Sequence, residues 1–135
     1  MESKFESKIG QIASTPEKIY NFLGNFNNFK HLVPPDKVKN WESGEDWCSF
    51  EVDMLGKTGM RTIEKQPYNL IKITGAEGSK FDFFFWIQLK EAAPYDTRLK
   101  LTMQVDLNPM MKMMAAKPLQ TFLDTLVDQL TKVPY

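Results

Sequence analysis

Cysteine and histidine are scarce in this sequence, with one of each among 135 residues. Cys48 alone has no partner for an intrachain disulfide. A structural zinc site needs four nitrogen or sulfur ligands, and a catalytic site needs three protein ligands. Cys48 and His31 together supply only two. We therefore expect no disulfide framework and no metal site, and the sequence predicts no cofactor.

An excess of charge of either sign is also lacking, because 17 basic and 17 acidic side chains cancel. Neither half of the chain is polycationic, so nucleic acid is not an expected partner. The longest uncharged stretch, residues 20–29, contains Gly24 and several asparagines and is far shorter than the ~18 apolar residues of a membrane helix. We expect no membrane span.

The N-terminal residues Met1 to Lys8 alternate in charge and lack the apolar run of a secretory signal, which favours a cytoplasmic protein. What the chain does have is a 42% hydrophobic content. A chain of this length and composition can bury its own core, so we expect one domain over residues 1–135.

Two short helices are predicted near the N-terminus. Ser14 and Glu17 have the spacing of a capping box, and Pro16 suits a first helical turn, where its missing N–H has no partner in any case. These signals predict a helix over residues 17–23. Apolar residues at helical spacing predict a second short helix over residues 25–32.

Apolar residues then recur at every second position up to residue 106, which is typical of strands with one buried face. Phe83, Phe85 and Ile87 share one face of a strand, and Leu99, Leu101 and Met103 share one face of the next. Short connections between such strands favour an antiparallel meander. Strands are predicted near residues 4–12, 38–42, 47–53, 60–65, 70–75, 80–90 and 97–106.

A long C-terminal helix is predicted from Pro109 to about Thr131, with Asn108 as its N-cap. Pro118 lies inside it and predicts a kink. Three- and four-residue steps place one apolar stripe against the sheet, formed by Met111, Met114, Ala115, Leu119, Phe122, Leu126 and Leu130. The charged residues Lys112, Lys117, Asp124 and Asp128 are expected to face water.

The resulting order, β-α-α-β6-α, together with several short strings, resembles the START-related superfamily, also called SRPBCC, which has the helix-grip fold of the birch-pollen allergen. A small polyketide cyclase/dehydrase-like member is the nearest type. This resemblance implies an α+β fold in which a curved seven-stranded antiparallel sheet wraps around the last helix. The matching strings are residues 12–23, Leu32–Val33–Pro34, residues 63–67, residues 85–89, Leu107–Asn108–Pro109 and Lys117–Pro118–Leu119.

The resemblance also implies a cavity between sheet and helix, which in relatives receives lipids, sterols, polyketides, quinones or plant hormones. Carried over by position, the sheet wall of this ligand-binding site is formed by Phe50, Val52, Phe83, Phe85, Ile87, Leu99, Leu101 and Met103. The helix wall is formed by Met111, Met114, Ala115, Leu119 and Phe122. No catalytic residue is carried over.

Candidate acid–base residues are few. His31 is more simply a surface or packing residue than a base at the cavity mouth. Cys48 shares a face with Phe50, where burial would raise the pKa of the thiol and leave it inert. Asp53 has the parity of outward-facing residues, and Glu64 has Arg61 and Lys65 near enough to pair with it. Both are expected to be ordinary surface carboxylates.

Two apolar clusters lie outside this scheme. Met110, Met111, Met113 and Met114 are half of the eight methionines and surround one helical turn, which indicates a cavity entrance or a partner contact. Phe84 and Trp86 have outward parity in the most aromatic strand, so a homodimer through these two residues is a further possibility.

The leading hypothesis is a small cytoplasmic binding protein for a hydrophobic molecule, such as a lipid, a polyketide or a quinone-like compound. Two alternatives stay open. One is a cyclase- or dehydratase-type enzyme that uses the same cavity, with proton transfer by an acid or by Tyr20, Tyr68 or His31. The other is a protein-interaction module with a collapsed cavity. The sequence favours binding over catalysis.

Overall fold

The structure, a computed structural model, describes residues 2–32, 36, 38–52, 56–76 and 83–135, without the side chains of His31 and Val52. The elements are β1 (Glu2–Glu6), β2 (Gly10–Ile12), α1 (Pro16–Leu23), a 3₁₀ helix (Phe26–His31), β3 (Val38–Ser43), β4 (Trp47–Val52), β5 (Gly56–Gln66), β6 (Leu70–Gly75), β7 (Phe83–Ala93), β8 (Asp96–Asp106) and α2 (Pro109–Thr131).

All strands belong to one antiparallel sheet with the order β1-β8-β7-β6-β5-β4-β3. From β3 to β8 each strand pairs with the next along the chain, as predicted for a meander. β1 and β2 both pair with β8, so they occupy one position at the edge of the sheet. The sheet is therefore seven strands wide, and the predicted α+β helix-grip architecture is confirmed.

The predicted first strand, residues 4–12, is divided into β1 and β2 by a bulge. Glu6 pairs with Thr102 and Gly10 pairs with Leu99, so the N-terminal strand carries one more residue than β8 between these pairs. Ser7 stabilises the irregularity, because its hydroxyl accepts the Leu101 N–H at 2.9 Å and donates to the Lys8 carbonyl at 2.7 Å.

The cap of α1 lies one residue later than the sequence predicts. Thr15, not Ser14, is the N-cap, and its hydroxyl accepts the Lys18 N–H at 3.3 Å. Ser14 is buried instead, and its carbonyl accepts a hydrogen bond from the Thr97 hydroxyl at 2.8 Å. This bond joins the residue before the N-cap of α1 to the sheet.

The long helix α2 begins as predicted, because the Asn108 side chain accepts the Met111 N–H at 2.8 Å. It continues through Pro118 for 23 residues without a break. Its buried residues are Leu123, Val127 and Leu130.

The predicted apolar stripe of α2 is partly wrong. Met114 is 73% exposed and Phe122 is 51% exposed, so neither is enclosed between helix and sheet. The other five predicted residues are buried or half-buried, which are Met111, Ala115, Leu119, Leu126 and Leu130. The structure adds Leu123 and Val127, which the prediction left out.

The face of the sheet that carries the buried apolar side chains is called the inner face. Ile71, Ile87, Leu99 and Leu101 lie on it by register and are buried. α1 adds Ile19 and Leu23 to the same core, and α2 adds Leu123, Val127 and Leu130. The alternation predicted for β7 and β8 is therefore confirmed.

Candidate ligand-binding site

The inner face is fully packed at one end and less completely covered at the other, where Ile73 and Val105 are still buried. Ile87 on β7 and Leu101 on β8 are directly paired and buried. Further along the same strands, Phe83, Phe85 and Met103 lie on the same face but are only half-buried. Because protein interiors are otherwise closely packed, apolar side chains keep exposed surface on an inner face only beside a gap or an opening.

The helix α2 changes along its length in the same way. Its second half contributes the buried Leu123, Val127 and Leu130. Its first half contributes only half-buried apolar residues, which are Met111, Ala115, Ala116 and Leu119. The helix thus has a packed half and a loosely covered half.

The loosely covered half of α2 lies towards the less covered end of the sheet. The Gln120 side chain donates to the Glu6 carbonyl at 2.7 Å, and a Cβ on Gly10 would lie 2.6 Å from Val127. The helix therefore runs in the same direction as β1 and β2. Residues before Gln120 lie towards the start of β1, which pairs with β8 at Met103 and beyond.

Seven of the predicted site residues are half-buried on these two walls, which are Phe50, Phe83, Phe85, Met103, Met111, Ala115 and Leu119. Ile87, Leu99 and Leu101 lie on the inner face as predicted, but in its packed part. Met114 and Phe122 point away from the enclosed side, as described above. The side chain of Val52 lies outside the described residues.

Trp41 belongs to the same half-buried set and escaped the sequence analysis. Its ring stacks on Phe50 with 5.6 Å between centroids and 13° between planes, and both pack against the core. A β-bulge between Lys39 and Glu42 places it there. The sequence did contain a signal for this bulge. Val38 and Trp41 are three residues apart, and a regular strand would place two such residues on opposite faces.

A groove of about 340 Å³ lies over β3, β4 and the start of β5. Trp41 and Phe50 provide apolar surface, and the remaining side chains are polar or charged. By register, Glu42, Ser49, Glu51 and Lys57 lie on the face of the sheet opposite the core, so the groove opens on that outer face. The lining residues are Asn40, Trp41, Glu42, Ser49, Phe50, Glu51 and Lys57.

Solved structures of other proteins share this architecture over nearly the whole chain. Norcoclaurine synthase from Thalictrum flavum, solved in complex with dopamine and hydroxybenzaldehyde, matches with a TM-score of 0.74 at 14% identity, over 98% of this chain and 86% of that one. A START superfamily protein from Mycobacterium smegmatis matches with a TM-score of 0.67 at 15% identity, over 96% and 94%. Mll3558 from Rhizobium loti matches with a TM-score of 0.72 at 12% identity, over 97% and 96%.

The chain has the helix-grip fold. This confirms the fold that the sequence resemblance implies. No family model and no curated protein matches the chain. At this level of identity the likeness to solved structures shows the fold alone, and a fold of this kind hosts many functions.

Among the candidate carboxylates and the histidine, Glu64 is the one whose side chain the structure describes. Glu64 is exposed, and its carboxylate accepts a hydrogen bond from Gln66 at 2.6 Å. Lys65 does not pair with it as expected, because its ammonium lies 2.6 Å from the Asp46 carboxylate. Asp53 and the His31 side chain lie outside the described residues.

Cys48 is buried on β4, and burial raises the pKa of its thiol to about 12. The thiol therefore stays protonated near neutral pH, as the sequence predicts.

Across residues 2–32, 36, 38–52, 56–76 and 83–135, no group of three or more metal-ligating side chains forms. No helix in the same described part of this helix-grip chain has the length and apolar character to span a membrane.

Phe84 and Trp86 lie on the outer face of the helix-grip sheet, as their parity predicts. Phe84 is 38% exposed, and Trp86 is half-buried. The Lys72 ammonium lies 4.6 Å from the Phe84 ring centroid and 5.4 Å from that of Trp86. This cation–π contact covers part of both rings. A homodimer through them stays a prediction.

Proposed function

We propose that the chain is a single START-like domain that binds a hydrophobic small molecule, such as a lipid, a polyketide or a quinone-like compound, between the inner face and the first half of α2. The observation that carries this proposal is the matched pair of half-buried apolar walls. One wall includes Phe83, Phe85 and Met103, and the other includes Met111 and Leu119.

Covering these walls would remove apolar surface from water, which is favourable by roughly 25 cal/mol per Å². Methionines on both walls suit this role, because the unbranched thioether side chain adapts to ligands of different shape. The packed end of the same inner face supplies rigidity, since its side chains are already buried.

A cyclase- or dehydratase-type enzyme is the second candidate. It is supported by the likeness to norcoclaurine synthase, an enzyme that was solved with two small aromatic molecules. Tyr20 and Tyr68 remain the candidate proton-transfer residues, and their rings meet edge to face at 5.6 Å between centroids. Binding is preferred because it needs only the apolar walls. A cytoplasmic location also stays a prediction.

Native mass spectrometry of the protein purified from its own source tests the proposal directly. A bound apolar molecule of defined mass supports binding, whereas conversion of that molecule on incubation would favour the enzyme. A co-purifying protein chain without a small molecule would favour the interaction module.

Titration with the uncharged dye N-phenyl-1-naphthylamine is the second test, and we expect about one site per chain. Absence of both a bound molecule and dye binding would contradict the proposal.

A further inference from the structure

Three large apolar side chains at the start of α2 are exposed together. Met110 is 72% exposed, Met113 is 85% exposed and Met114 is 73% exposed. Scattered single apolar residues are common on protein surfaces, whereas several large ones side by side mark a contact with another molecule. These three residues are called the methionine patch.

The methionine patch faces away from the sheet. Met114 precedes the buried Leu123 by nine residues, or about two and a half helical turns, so the two side chains leave α2 in opposite directions. Met110 lies one turn before Met114, and Met113 adjoins both. The patch is therefore separate from the helix wall of the candidate site, which is formed by residues that pack against the core.

Two lysines accompany the methionine patch. Between Asp106 and Asp124 the chain carries Lys112 and Lys117 and no acidic residue. Lys112 lies in the same turns as the patch, and Lys117 follows Met110 by seven residues, which continues the same stripe. Both lysines are exposed, and neither forms an ion pair with another described residue.

The acidic residues that precede and follow this stretch point elsewhere. Asp124 and Asp128 lie on the second half of α2, where they bind Lys8. Asp106 lies opposite Glu2 in the register of β8 and β1, and both are exposed on the outer face, across the sheet from α2. The chain has no net charge, so among the described residues it is this separation that makes the start of α2 locally positive.

We propose that the methionine patch, together with Lys112 and Lys117, docks the domain onto the surface of an anionic lipid bilayer. The methionine side chains would enter the boundary between headgroups and acyl chains, and the ammonium groups would lie at the headgroup phosphates. Unbranched thioether side chains suit a fluid surface because they adapt their shape. The inference goes beyond the proposed function and does not depend on it, because docking needs no ligand in the site.

Charge and composition favour a bilayer over a protein partner. Lysine is depleted in protein interfaces, and the tryptophan, tyrosine and arginine that dominate their binding energy do not occur in residues 107–123. A second copy of the chain bound patch to patch would bring the like-charged lysines of both copies together. An anionic bilayer suits both features, because it offers an apolar layer beneath negative headgroups.

Vesicle binding tests the proposal. The probes are vesicles of phosphatidylcholine alone and mixed vesicles of phosphatidylcholine and phosphatidylserine in equal amounts, and binding is measured by co-sedimentation. One variant carries Met110→Gln, Met113→Gln and Met114→Gln, and a second carries Lys112→Gln and Lys117→Gln. All five side chains are exposed, so both variants should fold as the wild type does.

The matched controls make the same kinds of change elsewhere on the surface. Ile9→Gln with Tyr95→Gln replaces two apolar residues that are 64% and 68% exposed. Lys18→Gln with Lys90→Gln removes two positive charges from exposed positions outside α2, as the lysine variant does within it. Circular dichroism checks that every variant is folded.

We expect the wild type to bind the mixed vesicles at least about tenfold more tightly than phosphatidylcholine, because each lysine near an anionic surface contributes roughly fivefold. The methionine variant and the lysine variant should each weaken binding to mixed vesicles about tenfold, and each control should change it by less than about twofold. The proposal is overturned if the wild type does not bind, if either variant binds as the wild type does, or if a control loses as much as its matched variant.

A fluorescent label distinguishes a bilayer from a second copy of the chain. Cys48 is buried, so an environment-sensitive thiol dye labels Met113→Cys at the new position alone, and Tyr95→Cys is the control. With mixed vesicles the emission from position 113 should shift to the blue, and the emission from position 95 should not. A blue shift on raising the protein concentration without vesicles would show that the methionine patch binds a second copy, and would overturn the proposal.

The outcomes for this surface and for the ligand site are separable. The titration with N-phenyl-1-naphthylamine contains no vesicles, so its failure would reject the proposed function and leave the bilayer contact unaffected. Loss of vesicle binding by the wild type with dye binding intact would reject the bilayer contact alone.

Discussion

The backbone N–H of Lys8 donates to the Asp124 carboxylate at 2.8 Å and so joins the bulge between β1 and β2 to α2. The Lys8 ammonium adds an ion pair with Asp128 at 2.6 Å. Both contacts fall in the second half of the helix, beside its buried residues. The first half, which forms one wall of the candidate site, is attached only by its half-buried apolar contacts among those described. The fold thus fixes the helix at one end and leaves the site end less constrained.

Asp124→Ala should lower the free energy of unfolding by about 1.5–3 kcal/mol, because it removes a charged acceptor from a backbone N–H. Asp128→Ala is the matched control, one helical turn later on the same face. Its carboxylate pairs with an ammonium at the surface, and such pairs contribute about 0–1 kcal/mol. Urea unfolding of both variants measures the difference. Equal losses would show that the Lys8 N–H bond has no special weight.

Two buried serines, Ser3 in β1 and Ser7 in the bulge that follows it, should respond oppositely to replacement by alanine. The Ser3 hydroxyl is buried without a partner, so Ser3→Ala removes an uncompensated polar group and should raise stability by up to about 1 kcal/mol. The Ser7 hydroxyl bonds to Leu101 N and Lys8 O, so Ser7→Ala should lower stability by about 1–3 kcal/mol. Thermal unfolding is the measurement. A loss in both variants would contradict the assignment of Ser3.

The order of elements and the faces of β7 and β8 could be predicted because alternation over long strands leaves only one register that buries the apolar side. The N-cap Asn108 and the inert thiol of Cys48 followed from local chemistry in the same way. The bulge at Ser7 could not be predicted, because an extra residue in one strand is compensated by contacts with distant residues. The bulge at Asn40 left one signal in the sequence, the three-residue spacing of Val38 and Trp41, and Trp41 was missed because strict alternation was assumed for this strand.

The helix wall shows the same limit in another form. The predicted stripe includes Met114 and Phe122, whereas the observed one includes Leu123 and Val127 in their place. Both stripes are apolar, so the helix sequence alone does not distinguish them. The choice is made by tertiary contacts, in which Gly10 accommodates Val127 and Asp124 meets Lys8.

If Phe84 and Trp86 form a homodimer contact, replacing both with Ser should convert a dimer to a folded monomer. Their outer-face position means that the core does not need them, although the cation–π contact with Lys72 is lost. Analytical ultracentrifugation reports the mass, and circular dichroism reports folding. A wild-type monomer over the micromolar range would contradict the dimer. Unfolding of the double variant would show instead that these rings stabilise the monomer.

Alkaline pH should destabilise the fold through Cys48. The buried thiol has its pKa raised from 9.0 to about 12, so the unfolded chain loses this proton first as the pH rises. Stability from this group is therefore full below pH 9 and falls between pH 9 and about 12, by at most about 1.4 kcal/mol per pH unit. Burial also raises the pKa of Tyr135, which adds a loss of the same sign. Urea unfolding from pH 8 to pH 11 should show a smaller decline for Cys48→Ala. An unchanged slope would mean that the thiol is accessible in the folded state.

Methionines at two positions of the first turns of α2 separate ligand binding from a general effect of the helix. Met111 is half-buried and packs against the core, whereas Met113 is 85% exposed. Met111→Gln replaces apolar surface on the site wall with an amide, so it should weaken N-phenyl-1-naphthylamine binding by on the order of 1 kcal/mol. Met113→Gln makes the same chemical change outside the wall and should leave the dissociation constant unchanged. Fluorescence titration of the two variants and the wild type gives the three constants. If Met113→Gln weakens binding as much as Met111→Gln, the dye binds to the outer surface of the helix, and the site does not lie between α2 and the sheet.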